Sequence, residues 1–270
     1  MIQFAAIVTG IFREAIAKKI FLGFMVISTL IILAFVFIVN LDSVDGMIAM
    51  FGASGDTAVK DMVIGFQILV LNFSYLLIIT FCLISVSSFI PSMVEKGNID
   101  VLLSKPISRG AIIIGKFTGG VLLIFVSLLY LIGFVWLILS VKTGYWHIPF
   151  LYSVFWLTFS FAAIYSLLIF IGLVTQSSVV SMITGFILAF VVTPVLAVRS
   201  ELFSFISNDA VRFVIDFFYY ILPKPGAIAD ISAKILEGKE VTSYEPLITT
   251  ALFTIAMLTI SISYFRRRDY

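Results

Sequence analysis

Six stretches of the chain, about 20–39, 62–90, 117–141, 150–174, 179–198 and 246–265, contain no Asp, Glu, Lys or Arg. Each is long enough, as a helix, to cross a hydrocarbon core of about 30 Å, which takes about 20 apolar residues. In lipid the backbone must satisfy its own hydrogen bonds, so only helices or a closed barrel are possible. Barrel strands run to about ten residues and alternate in polarity. These runs are longer and apolar on every side, so the expected class is an all-α membrane protein with six transmembrane helices. The composition agrees. With 61% hydrophobic and 12% charged residues, the chain has too little polar surface to cover a globule in water. Soluble, disordered, fibrous and nucleic-acid-binding classes are excluded.

Lys18 and Lys19 precede the first run as in a signal peptide, but it ends at Ile38-Val39-Asn40 without a small-x-small cleavage site, so it is read as a retained span. An even number of spans puts both termini on one side. That side carries Arg13, Lys18, Lys19, Lys96, Lys105, Arg109, Lys116, Arg266, Arg267 and Arg268. Opposite lie Lys60 and Lys142, with Arg199, Arg212, Lys224, Lys234 and Lys239 in the long outer loop 199–245. Short segments decide orientation, and there the bias is ten to two, which predicts cytoplasmic termini.

Before the first span, residues 1–19 place Phe4, Ile7, Val8, Ile11, Phe12 and Ala15 on one helical face and Gln3, Thr9, Gly10, Arg13 and Glu14 on the other. The pattern predicts an amphipathic helix at the cytoplasmic interface, or alternatively a plain extension of the first span. In the outer loop, the mix of Phe213, Phe217, Phe218 and Tyr220 with Arg212 and Asp216 predicts an interfacial helix over 211–222, ended by Pro223 and Pro225.

Catalytic chemistry finds little purchase. Gly110–Lys116 fits G-x-x-x-x-G-K, but Phe117 stands where a magnesium-binding hydroxyl is needed, and no strand precedes it. With Cys82 and His147 the only residues of their kinds, one chain can build neither a disulfide nor a soft-metal site. The spans hold no ionisable pair of the kind that marks ion-coupled carriers. They do hold neutral polar groups: Gln67, Asn72 and Ser85 in the second, and Ser181, Thr184 and Thr193-Pro194 in the fifth. These serve either helix packing or a path for an amphiphile. Gly115-x-x-x-Gly119 with Gly120 reads as close helix packing.

The cytoplasmic segment 91–116 is the most informative. Asn98 or Asp100 can cap a short helix with Ile99, Leu102 and Leu103 on one side, Pro106 stops it, and Ser108 can cap a second helix running through Lys116 into the third span. On physical grounds it is equally a docking element or a structural hairpin. Its run E-x-G-x-x-x-x-L-L-x-x-P-x-S-R-x-x-x-x-x-x-K, Glu95 to Lys116, resembles the ABC-2 type permeases, in particular the NosY-like branch. The amphipathic start, six spans, long outer loop and tail Phe265-Arg-Arg-Arg-Asp269-Tyr extend the likeness over nearly the whole chain, as a single transmembrane domain.

That resemblance implies a non-enzymatic permease subunit of an ABC transporter, an exporter, in a prokaryotic cytoplasmic membrane. It implies a homodimer or heterodimer with a second permease, and a separate cytosolic ATPase that carries ATP and magnesium, leaving no cofactor in this chain. Glu95, Gly97, Leu102, Leu103, Pro106, Ser108, Arg109 and Lys116 would then form the coupling loop. Spans two and five would line the path, with Gln67, Asn72, Ser85, Ser181 and Thr184 as candidates. The rival readings are a membrane scaffold or sensor that recruits a soluble partner, and an ion-coupled carrier.

Overall fold

The computed structural model describes residues 2–17, 19–38, 56–94 and 108–268, and among these every regular element is helical. The N-terminal helix α1 (Ile2–Ala17) meets α2 (Ile20–Ile38) at a 70° bend, where Lys19 takes a left-handed φ of +57°. Two long helices follow, α3 (Asp56–Val94) and α4 (Arg109–Thr143). Next come α5 (Pro149–Thr175) and α6 (Ser178–Ile187), which continues through a π-turn at Leu188–Val192 into α7 (Thr193–Ala197). Three short helices, α8 (Arg199–Phe205), α9 (Asp209–Ile221) and α10 (Pro225–Leu236), lead to α11 (Glu245–Arg267). Five helices are long and apolar enough to cross a membrane, or six if the bent α1–α2 pair is one span.

Helix α5 is the centre of the bundle, packed against α3, α4, α6, α10 and α11. Its small residues, among them Ser153, Ser160, Ala162, Ala163 and Gly172, are buried and admit close neighbours, while Phe150, Phe161 and Tyr165 fill the space between them. Small residues let helices approach in lipid, where burial of apolar surface gives no net drive. The lipid-facing sides of α2, α4 and α11 keep large exposed groups such as Phe37, Val141 and Ile255.

Helix α4, at 35 residues, is about 52 Å long at 1.5 Å per residue, well beyond a bilayer core. It starts where expected. Ser108 is its N-cap, accepting the Ala111 amide at 3.2 Å. It ends at Gly144, whose φ of +72° suits a residue without Cβ and lets its amide reach the Ser140 carbonyl at 2.9 Å.

The outer segment differs from expectation at one proline. Pro223 follows the end of α9, but Pro225 opens a new helix instead of closing the old one, since a first-turn residue needs no N–H partner. That helix, α10, buries Ile228, Ile231 and Leu236 and donates Ser232 Oγ to Ser153 Oγ of α5 at 3.1 Å. The segment is thus built into the bundle rather than laid over it.

Candidate functional site

Glu95, Gly97, Leu102, Leu103 and Pro106, five of the eight candidate coupling residues, lie outside the described residues. The other three, Ser108, Arg109 and Lys116, come together at the start of α4. Arg109 Nη1 donates to the carbonyls of Arg268 at 2.6 Å, Phe265 at 3.2 Å and Arg266 at 3.4 Å. These are terminal carbonyls of α11, which lack amide partners within the helix, and a cation there also meets the negative end of the helix dipole. Arg268 makes the next link, donating to the Leu173 carbonyl of α5 at 3.2 Å and to Tyr264 Oη at 2.7 Å. Lys116 Nζ pairs with Glu14 Oε2 of α1 at 2.9 Å, both side chains being mostly buried.

The glycines beneath explain how α1 reaches this position. A Cβ at Gly115 would come within 2.8 Å of Ile7, and one at Gly119 within 3.3 Å of the Ile11 Cβ. The apolar face of α1 therefore seats Ile7, Ile11 and Ala15 against α4. Gly120 makes room for the buried ring of Tyr165, which donates its hydroxyl to the Lys116 carbonyl at 3.0 Å. The segment leading out of the loop is so fastened to α1, α5 and α11 together.

The candidate path residues separate. Gln67 is fully buried, its Oε1 2.6 Å from His147 Nδ1. That His lies in the α4–α5 turn, where burial lowers its pKa below the ordinary value, and its carbonyl accepts the Trp136 indole N–H at 3.0 Å. Ser181 and Thr184 donate to the carbonyls of Ser177 and Val180 within one helical turn. Ser85 is a residue of α3. Asn72 alone lines the open cavity of the bundle, about 440 Å³ in volume.

That cavity lies between α3, the π-turn with α7, and the α9–α10 junction, with Tyr75, Thr193, Tyr219, Lys224 and Asp230 on its walls. The π-turn in its wall has a cause in sequence. Pro194 offers no N–H to the carbonyl four residues back, the helix widens to a π-turn, and the Thr193 hydroxyl donates to the Leu188 carbonyl. Lys224 is buried, with Nζ 2.9 Å from Glu245 Oε1 and 3.8 Å from the Tyr219 ring centre. Arg199 pairs with Asp216 at 3.1 Å and lies over the same ring at 3.2 Å. Asp230 has no hydrogen bond or ion pair among the described residues. Partial desolvation raises the carboxyl pKa of this exposed side chain, and the nearby Lys234 ammonium opposes the rise. Sequence reasoning missed this set. Its one signal was the Pro223-Lys224-Pro225 run, a charged residue between two turn-formers.

Five helices long and apolar enough to cross a membrane, or six with the bent α1–α2 pair, make this an all-helical polytopic membrane protein among the described residues. The model of the ABC-2 family transporter proteins matches residues 5–270, almost the whole chain, and the protein belongs to that family. No curated protein matches it. It is accordingly a multi-pass membrane permease of the ABC type, from a family of transmembrane components that normally work with a cytosolic ATPase subunit.

Proposed function

We propose that this chain is the permease subunit of an ABC exporter of the NosY-like branch, acting as a homodimer or heterodimer in a prokaryotic cytoplasmic membrane. Both termini face the cytoplasm, residues 1–19 lie at the interface, and residues 91–116 receive the separate ATPase that binds ATP and magnesium. Spans two and five, here α3 and α6–α7, border the path. The observation that carries this reading is the fastening of Arg109 and Lys116 to α11 and α1. A push on the loop then moves several helices at once, as ATP-driven transport requires.

The test is a double substitution, Leu102→Asp with Leu103→Asp. An unpaired carboxylate carried into an apolar contact costs several kcal/mol, enough to abolish a micromolar association of about 8 kcal/mol. Co-purification of the ATPase should be lost at unchanged recovery of the permease in detergent. If the double variant keeps its ATPase and nucleotide-driven activity, residues 91–116 are not the docking element. Cysteines placed singly at Ser104 and Ser243 in a Cys82→Ser background check orientation, since an impermeant thiol reagent should reach only Ser243→Cys in intact cells.

A further inference from the structure

We infer that the cavity between α3, the π-turn and α10 is a binding site for a single-chain amphiphile with a free ammonium head, held by Asp230. The argument is a charge balance over the walls. The walls carry two charged residues, Lys224 and Asp230, and of these Lys224 is paired with Glu245 at 2.9 Å. The Asp230 carboxylate has no such partner among the described residues, and Lys234, four residues on, forms no ion pair with it. One exposed carboxylate with no partner at contact distance among the described residues, opposed only by the more distant Lys234 ammonium, therefore borders an otherwise largely apolar space.

The surroundings favour the same ligand. Leu76, Ile79, Ala189 and Leu196 supply apolar wall for a chain. On the same walls, the Tyr75 ring and the Asn72 amide offer a π face and an oxygen acceptor, both of which suit a cation. At about 440 Å³ the cavity is at the small end of the roughly 300–1,000 Å³ range of ligand sites, which suits one chain rather than a two-chain lipid. Gly226 gives a way to close it, because a Cβ there would sit 3.8 Å from Tyr75 Oη in ordinary contact. A larger side chain at this position enters the space without disturbing the backbone.

This assignment rests on the permease reading but is tested without the ATPase, so the two can fail separately. The full chain is placed in phosphatidylcholine nanodiscs. Saturable binding, corrected with empty discs, is measured for a dansyl-labelled long-chain diamine, whose free end is an ammonium, and for the matching amino alcohol, whose free end is a hydroxyl. The ammonium probe should bind more tightly to the wild type. Asp230→Asn should weaken it about tenfold, the loss of one charge-assisted contact, and leave the alcohol within about twofold. Gly226→Leu should weaken both probes. Equal binding of the two probes by the wild type, an unchanged ammonium affinity in Asp230→Asn, or equal losses for both probes there would each overturn the assignment. Displacement of the ammonium probe by phosphatidylethanolamine in the disc would assign the site to a membrane lipid and overturn it as well.

Discussion

Removing the Arg109 guanidinium should loosen the C-terminal end of α11, and the size of the effect follows from the geometry. Two of its three contacts, to the Arg268 and Phe265 carbonyls at 2.6 and 3.2 Å, are short, while the third at 3.4 Å adds little. Taking about 1 kcal/mol for each short, half-exposed bond and about 0.5 kcal/mol for the helix dipole gives about 2.5 kcal/mol. That is about 60-fold in the equilibrium for opening the last turns of the helix. Ser261 is fully buried two turns from that end, so Ser261→Cys in a Cys82→Ser background reports the opening directly. Its reaction with a small thiol reagent, under conditions where closing outruns labelling, should accelerate about 60-fold in Arg109→Gln. Arg109→Lys keeps the charge but not the fork and should fall between. Labelling within twofold of wild type in Arg109→Gln would refute the strap. Loss of the ATPase at an unchanged labelling rate would place Arg109 on the partner's surface instead.

Gly120→Ala sets a Cβ within 2.9 Å of the buried Tyr165 ring, and the overpacking should cost about 1–3 kcal/mol in detergent denaturation, with Tyr165→Leu relieving most of it in the double variant. Lys116 and Glu14 pair at 2.9 Å, so Lys116→Met and Glu14→Gln should be non-additive, with a coupling of about 0.5–3 kcal/mol in a double-mutant cycle on thermal unfolding, and additive losses would refute the pair. His147 has its folded pKa depressed by burial, so the folded state binds fewer protons than the unfolded one. Its contribution to stability is present above the ordinary histidine value of about 6.5 and lost as pH falls from there through the lower folded value. His147→Asn should flatten the decline in melting temperature over that window, and an identical pH profile in the variant would sink the assignment.

Five of the six expected spans were legible because charge is excluded from lipid over a fixed length, so a run free of Asp, Glu, Lys and Arg carries its own boundaries, whereas the first qualifies only together with the bent α1. The fourth and sixth, expected at 150–174 and 246–265, are Pro149–Thr175 and Glu245–Arg267. The Ser108 cap was legible for a similar reason, being a local bond between a side chain and an amide three residues on. What could not be read was any pairing across distance. Nothing in the sequence joins Arg109 to Arg268, 159 positions away, or sets Gln67 against His147 rather than along a path. Pro225 was misread because a proline after a helix and a proline at the start of the next look alike until the later residues find something to pack on. For α10 that was α5.

The length of α4 and the place where it is gripped make it a lever. Tyr165 presses on it at Gly120, 11 residues from its first residue, Arg109, and 23 from its last, Thr143. At 1.5 Å per residue the arms are about 16 and 34 Å. A rigid tilt of α4 about the Gly120 contact would swing its far end about twice as far as its Arg109 end. The longer arm carries Trp136, Lys142 and the turn bearing His147, and Lys142 Nζ holds the Val36 carbonyl of α2 at 2.7 Å. A displacement of about one ångström at the loop thus becomes about two at the opposite face of the bundle, delivered to α2 and to the turn that leads into α5.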